Sequence, residues 1–240
     1  MMPPHRNDSE RRTARRPLSV GILLAGAVAC GGGGAAAGGA APGRAATPLP
    51  ATAAAANDSG STSSLVPPGY GSLRQDDIAV RLQLTNVQVK AIPLDEGVIR
   101  LLSPDSYRAL RDLQESRRTE VAALARRYGL QQYRLWYVSY FGLAPEARFS
   151  PNELTLTNNG RDFRPLEILP VTAGFGENRL KQRETQSALY LFDGALDVNQ
   201  PVIVRAETAT DADSWANALR RIERERALVR SRAGGATSRP

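Results

Sequence analysis

Two side chains on which most enzymes rely are nearly missing from this chain. Of its 240 residues one is His and one is Cys, namely His5 and Cys30, and both lie in the first thirty positions. Beyond residue 30 there is neither an imidazole nor a thiol, so Ser-His-Asp and Cys-His mechanisms have no base and no thiolate to use. The usual nitrogen and sulfur ligands for zinc are absent for the same reason, and a lone thiol has no partner for a disulfide within the chain. The chemistry that remains is that of carboxylates, with Asp76, Asp77, Glu177, Glu184, Asp193 and Asp197 as candidates. A glycosidase sets two such groups about 5 to 10 Å apart across a cleft. Tyr133, Trp136, Tyr137, Tyr140 and Phe141 could supply the aromatic platform for a sugar or nucleotide. Each group also has a plainer reading: Asp193 and Asp197 as turn residues, and the aromatics as the packing of a central strand. Gly174-Phe175-Gly176 begins like a dinucleotide fingerprint, but Arg179 stands where its third glycine is required. Asp211 and Asp213 have calcium-ligand chemistry without further oxygen ligands at a recognisable spacing, and helix capping accounts for them better. No catalytic residue, cofactor or metal is therefore expected.

The position of Cys30 is more informative than its reactivity. Arg11, Arg12, Arg15 and Arg16 precede an apolar run from Leu18 to Ala29 that ends in Ala27-Val28-Ala29 and then Cys30. A positive flank, an apolar core of about 7 to 15 residues and a small-residue cleavage site form an export signal. The run is too short to span a bilayer, which takes about 20 apolar residues. The stretch Leu24-Ala25-Gly26-Ala27-Val28-Ala29-Cys30 resembles the signals of bacterial lipoproteins, with a departure at Ala27, where the family usually carries Leu. The resemblance implies cleavage between Ala29 and Cys30, lipidation of Cys30, and a location in the cell envelope, anchored to a membrane and facing the periplasm or exterior. Ala27-Val28-Ala29 also satisfies ordinary signal cleavage, which would leave a soluble secreted protein.

Four segments follow from composition: a signal peptide over 1–29, the lipidated cysteine with a Gly, Ala, Pro and Ser tether over 30–66, a globular β-rich domain over 67–232, and a disordered tail over 233–240. The tether has little apolar surface to set against the entropy of ordering it, so disorder is expected there. A flexible coil of that length reaches about 30 to 35 Å. All fourteen aromatics lie between Tyr70 and Trp215, which places the core in the third segment.

Within that segment, Ile78, Val80, Leu82 and Leu84 alternate with polar residues, and Val87 and Val89 continue on the opposite parity, which predicts a strand with a bulge or break at Thr85-Asn86. A second strand is expected over 97–102. Ser103-Pro104-Asp105 starts a helix of about 25 residues that ends at Gly129. Residues 133–141 are apolar on both faces, as in a central strand. Residues 153–157 and 162–169 read as two strands around Asn158-Asn159-Gly160, a three-residue hairpin loop. Strands over 187–192 and 202–206 follow, then a helix with the stripe Trp215, Leu219, Ile222, Val229 capped by Asp211 or Asp213. About seven short, mostly hairpin-connected strands predict a mainly β fold, an antiparallel sandwich. The strand order, with the polar hairpin from Asn158 to Arg164 and the segment from Gln186 to Asp193, resembles the immunoglobulin-like domains of small exported bacterial antigens and lipoproteins. The expected architecture is therefore an immunoglobulin-like β-sandwich with an inserted long α-helix and a C-terminal α-helix, with a two-layer α+β arrangement as the alternative.

Charge points to one end of the chain. Five Arg and two acidic residues lie in 1–29, so cleavage would leave 26 basic and 22 acidic groups and lower the net charge from +7 to +4. The last helix alone carries Arg220, Arg221, Arg224, Arg226, Arg230 and Arg232 against Glu223 and Glu225. Arg220, Arg221 and Arg224 are the candidates for contact with an anionic membrane surface, against a plain solvated face. The favoured function is a non-enzymatic, lipid-anchored cell-envelope protein, a binding or scaffold module for an unidentified envelope protein or glycan. A secreted carbohydrate-active enzyme using a carboxylate pair is the alternative. Nucleic acid is not expected as a partner of an exported chain.

Overall fold

The computed structural model describes residues 65–237. The segment expected as a signal, Cys30 and nearly all of the expected tether lie outside the described residues. In chain order the elements are β1 (Val80–Gln83), β2 (Val87–Pro93), α1 (Glu96–Ile99), α2 (Pro104–Ser116), α3 (Arg118–Arg127), β3 (Tyr133–Gly142), β4 (Ala147–Arg148), β5 (Thr155–Asn158), β6 (Arg161–Phe163), β7 (Glu167–Pro170), β8 (Arg179–Leu180), β9 (Thr185–Asp193), β10 (Val202–Ala206), β11 (Ala209–Asp211) and α4 (Ser214–Thr237).

Antiparallel sheets dominate. Five strands pair in the order β1-β2-β3-β9-β7, four in the order β11-β10-β5-β6, and β4 pairs with β8. The strand over Tyr133–Gly142 is central, and its pleat explains why both parities are apolar. Trp136, Val138 and Tyr140 register with Tyr190, Ala188 and Gln186 of β9 on one face. That face meets α4 through Trp136 and Trp215, whose rings lie 5.8 Å apart, and meets the aromatic cluster of Tyr140, Phe149 and Phe175. The opposite face carries buried Leu135, Leu189 and Leu191 and is crossed by α2 and α3. The helical pair is tied at both sides of the sheet: Gln114 Nε2 donates to the Leu94 carbonyl beyond β2, while Arg117 donates to Pro170 and Tyr128 to Glu167, both in β7. One apolar core draws residues from Val66 through Val229.

Six expectations change in the folded chain. Thr85-Asn86 is not a break within a strand but the loop of the β1–β2 hairpin, closed by Leu84 N–H donating to the Val87 carbonyl at 2.9 Å. The expected strand over 97–102 is instead the helical turn α1: Asp95 accepts from Gly97 N–H at 3.0 Å, and burial falls on Val98, Ile99, Leu101 and Leu102. The long helix is two helices that meet at Arg117, with φ −109° and ψ 5°. Just before it, Ser116 Oγ donates back to the Leu113 carbonyl, an interaction that bends helices. The hairpin loop has two residues, Asn159 (φ 51°) and Gly160 (φ 74°), both in the left-handed region that a tight type I′ connection needs. Asn158 belongs to β5, and its buried amide bonds Asp197 and Pro201. The strand expected over 162–169 divides after Phe163, which pairs with Leu156 in one sheet, and resumes at Glu167, which pairs with Leu191 in the other. At the C-terminus α4 continues to Thr237, past the boundary expected at 232.

Candidate functional site

The helix α4 begins where Asp211 gathers the first free amides. Its Oδ1 accepts from Asp213 N–H at 3.1 Å and Ser214 N–H at 2.8 Å, and its Oδ2 from Ser214 Oγ. A carboxylate at this end also complements the helix dipole. Asp213 contributes its backbone carbonyl, which accepts from Asn217 N–H. This capping occupies the groups that had suggested calcium.

The inward stripe of α4 is Trp215, Ala218, Ile222, Glu225 and Val229, all buried, with Leu219 half-buried at its margin. Trp215 also donates its indole N–H to the Val198 carbonyl at 3.0 Å. At about 100° per residue, Arg220 and Arg224 fall on the side opposite that stripe, and both are exposed. Arg220 donates to the Asn217 side-chain carbonyl. Among the described residues Arg224 has no hydrogen-bond or ion-pair partner, and neither has Arg230. Like charges four apart on a helix repel by about 0.2 to 0.5 kcal/mol, so the Arg220/Arg224 pair is not explained by stability. Beside it Asn199, Leu219, Arg220, Glu223 and Arg224 line an open groove of about 430 Å³, and Leu228, one turn after Arg224, is half exposed.

The other arginines of the helix are held by the body of the protein. Arg221, expected with the outward pair, turns to Asp77 at 3.7 Å. Arg226 pairs with Glu223 at 2.5 Å and reaches the Gly97 carbonyl. Arg232 donates to Glu225 at 2.7 Å and to the Tyr70 carbonyl at 2.8 Å. Glu225, 5% exposed, also accepts from Ser72 N–H and Ser72 Oγ, both at 2.9 Å. Burial alone would raise its carboxyl, but the hydrogen bonds from Arg232 and Ser72 outweigh it and hold the group below its ordinary range. Gly71, between the two anchored residues, passes so close to Leu101 that a Cβ there would lie 2.2 Å from its backbone. Leu73 N–H donates to the Leu101 carbonyl, and Ser103 N–H to that of Leu73. The segment by which the chain enters the domain is thus clamped between α4 and the loop after α1, an arrangement with no local signal in the sequence.

The remaining candidates are dispersed. Asp76 and Asp77 are neighbours on a 3₁₀ turn whose carboxylates diverge. Asp76 faces Arg81 at 2.7 Å and Lys90 at 3.4 Å, and Asp77 accepts from Arg74 N–H. Desolvation would raise the Asp76 carboxyl; Lys90 and Arg81 together leave it lowered. Glu184 accepts from Lys181 N–H and Gln186, which lowers it. Asp193 and Asp197 close Asx turns on Ala195 and Asn199. Glu177 sits in the 3₁₀ turn Phe175–Glu177, bracketed by Gly174 and Asn178 with positive φ and pinned by buried Phe175. Tyr133, Trp136 and Tyr140 are buried, with Tyr137 and Phe141 half-buried, so the five form no exposed platform. Tyr140 and Tyr190 share a buried hydroxyl contact of 2.8 Å, and Tyr190 donates on to the Pro151 carbonyl.

The sequence reading also missed the pocket beside the β1–β2 turn. Glu146, Arg148, Glu207 and Thr208 meet the β1–β2 turn around about 290 Å³. Both glutamates have positive φ, 55° and 50°. Each carboxylate is engaged, Glu146 with Arg179 at 3.0 Å and Glu207 with Ser150 N–H at 2.9 Å. Among the described residues no three His, Cys, Asp or Glu are grouped to hold a metal ion, and no helix is long and apolar enough to cross a membrane.

No protein-family model matches the chain, and neither a curated protein nor a solved structure matches it.

Proposed function

We propose that this chain is a non-enzymatic, lipid-anchored protein of the bacterial cell envelope, in which a folded module on a long tether binds another envelope protein or a glycan. The observation that carries the reading is the placement of the chain's one cysteine. It follows Ala27-Val28-Ala29 directly, behind a basic flank and a short apolar run, where lipidation would require a thiol. Acyl chains on Cys30 would hold the protein at the membrane, and residues 31–64 would set its reach. The folded part is read as an immunoglobulin-like variant. That finer reading is supported by two antiparallel sheets sharing one core and by the crossing from one sheet to the other between Phe163 and Glu167. The binding role has its support in exposed turns such as Asn159-Gly160.

The test is palmitate labelling with membrane fractionation of the full chain and of Cys30→Ser, expressed in a bacterium with an intact lipoprotein pathway. The parent should carry label and sediment with membranes; the variant should lose both. An unlabelled parent whose amino terminus begins at Met1 or Met2 would end this account.

A further inference from the structure

We infer that the outward face of α4, centred on Arg220 and Arg224, is a docking surface for anionic lipid headgroups in the same membrane that holds the chain's anchor; the inference rests on the anchored reading above. Three observations meet on this helix. The first is its residual charge. Of six arginines, three are paired with Asp77, Glu223 and Glu225, Arg230 is exposed and unpaired farther along the helix, and Arg220 and Arg224 point away from the core with no carboxylate partner. The second is shape. The two guanidiniums border an open groove of about 430 Å³ whose floor includes the apolar side of Leu219 and whose one acid, Glu223, is already paired with Arg226. Leu228, one turn after Arg224, is half exposed. A headgroup phosphate could take the arginine forks while the leucines meet the first carbons of the acyl region.

The third observation is where the tether arrives, and it favours a membrane over other polyanions. Val66 receives Arg100, Tyr70 receives Arg232, and Ser72 donates to Glu225, so the chain joins the domain alongside the C-terminal half of α4. The length from Cys30 to this junction corresponds to a coil reach of about 30 to 35 Å, and the clamp around Gly71 fixes the junction relative to the helix. A domain drawn toward the bilayer by this junction brings α4 with it. The tether thereby raises the effective concentration of headgroups at this face, and each arginine brought to an anionic surface strengthens binding about fivefold.

Vesicle binding separates this inference from the anchor itself. The full chain carrying Cys30→Ser has no acylation site, so its sedimentation with vesicles reports contact made without acyl chains, and the share of the helix face is the part that depends on Arg220 and Arg224. With equal parts phosphatidylglycerol and phosphatidylcholine it should bind; with phosphatidylcholine alone it should not, and added salt should weaken binding because the contact is ionic. Adding Arg220→Gln and Arg224→Gln should lower the partition about 25-fold, while the circular dichroism and thermal midpoint stay in place, since neither side chain is part of the core. Equal partition with and without these substitutions overturns the inference, as does binding only to a polyanionic glycan, to nucleic acid or to a second copy of the chain. If palmitate labelling fails while the anionic vesicles still bind in an Arg220- and Arg224-dependent way, the anchor is wrong and the surface stands.

Discussion

The contact between Glu225 and Ser72 joins residues 153 positions apart, and it gives the sharpest test of how α4 is held. Replacing Glu225 by Gln keeps the side chain's volume and one carbonyl oxygen but removes the charge. Ser72 donates two charge-assisted bonds at 2.9 Å to the same carboxylate oxygen. Bonds of that kind contribute about 1.5 to 3 kcal/mol each, whereas a neutral acceptor gives about 1 kcal/mol. A neutral amide is less costly to bury than a carboxylate, which returns part of the difference. The expected net loss is about 2 kcal/mol, or about 4 to 8 °C in the thermal midpoint of a domain this size. Arg232 is the contrast: its side chain is 41% exposed, so Arg232→Ala should cost no more than about 1 kcal/mol despite the shorter distance. The pH dependence has a definite sign. The folded carboxyl titrates below its ordinary value of 4.5, so its stabilisation is whole above that value and is lost as pH falls through the lower, folded one. Glu225→Gln should therefore trail the parent at neutral pH and converge with it in acid, where the parent's own carboxyl is protonated and closely resembles the amide. The measurement is thermal unfolding by circular dichroism across that range. Equal midpoints at neutral pH, or a gap that persists in acid, would refute the reasoning.

Two further substitutions test how the elements are joined. Gly71→Ala places a Cβ 2.2 Å from the Leu101 backbone, where neither side is a flexible chain end, so about 1 to 3 kcal/mol should be lost, read by urea unfolding; an unchanged midpoint would mean the entry segment is not clamped. Trp215→Ala empties the space against Trp136 and removes the bond to the Val198 carbonyl, for an expected loss of about 3 to 5 kcal/mol together with the near-ultraviolet circular dichroism of the tryptophan pair; a variant with parental stability would show that α4 does not close the core.

Local pattern carried far where a local pattern suffices to choose a structure. The central strand Tyr133–Gly142, the presence of a hairpin around Gly160, though not its two-residue loop, and the Trp215, Ile222, Val229 stripe of α4 were legible because period, turn chemistry and capping each involve neighbours in sequence. Segments whose state depends on distant partners were not. The residues from Gly97 to Leu102 are apolar enough for a strand, but the Asp95 cap made a helical turn of them as far as Ile99, and only Leu102 bridges a neighbouring extended segment, at Leu73. The division after Phe163 was invisible because either sheet could accept the next residues, and pairing with Leu191 settled it. At the candidate surface the same division holds. The excess of arginine on the last helix is a property of sequence, and so is the place of Cys30 behind its apolar run. The pairing of Arg226 with Glu223 lies within one turn of the helix, but that of Arg221 with Asp77, and the bonds of Arg226 and Arg232 to the Gly97 and Tyr70 carbonyls, come from residues more than a hundred positions away and were decided only by folding. A side chain's charge is intrinsic to the residue, but its neutralisation is a matter of distance in space.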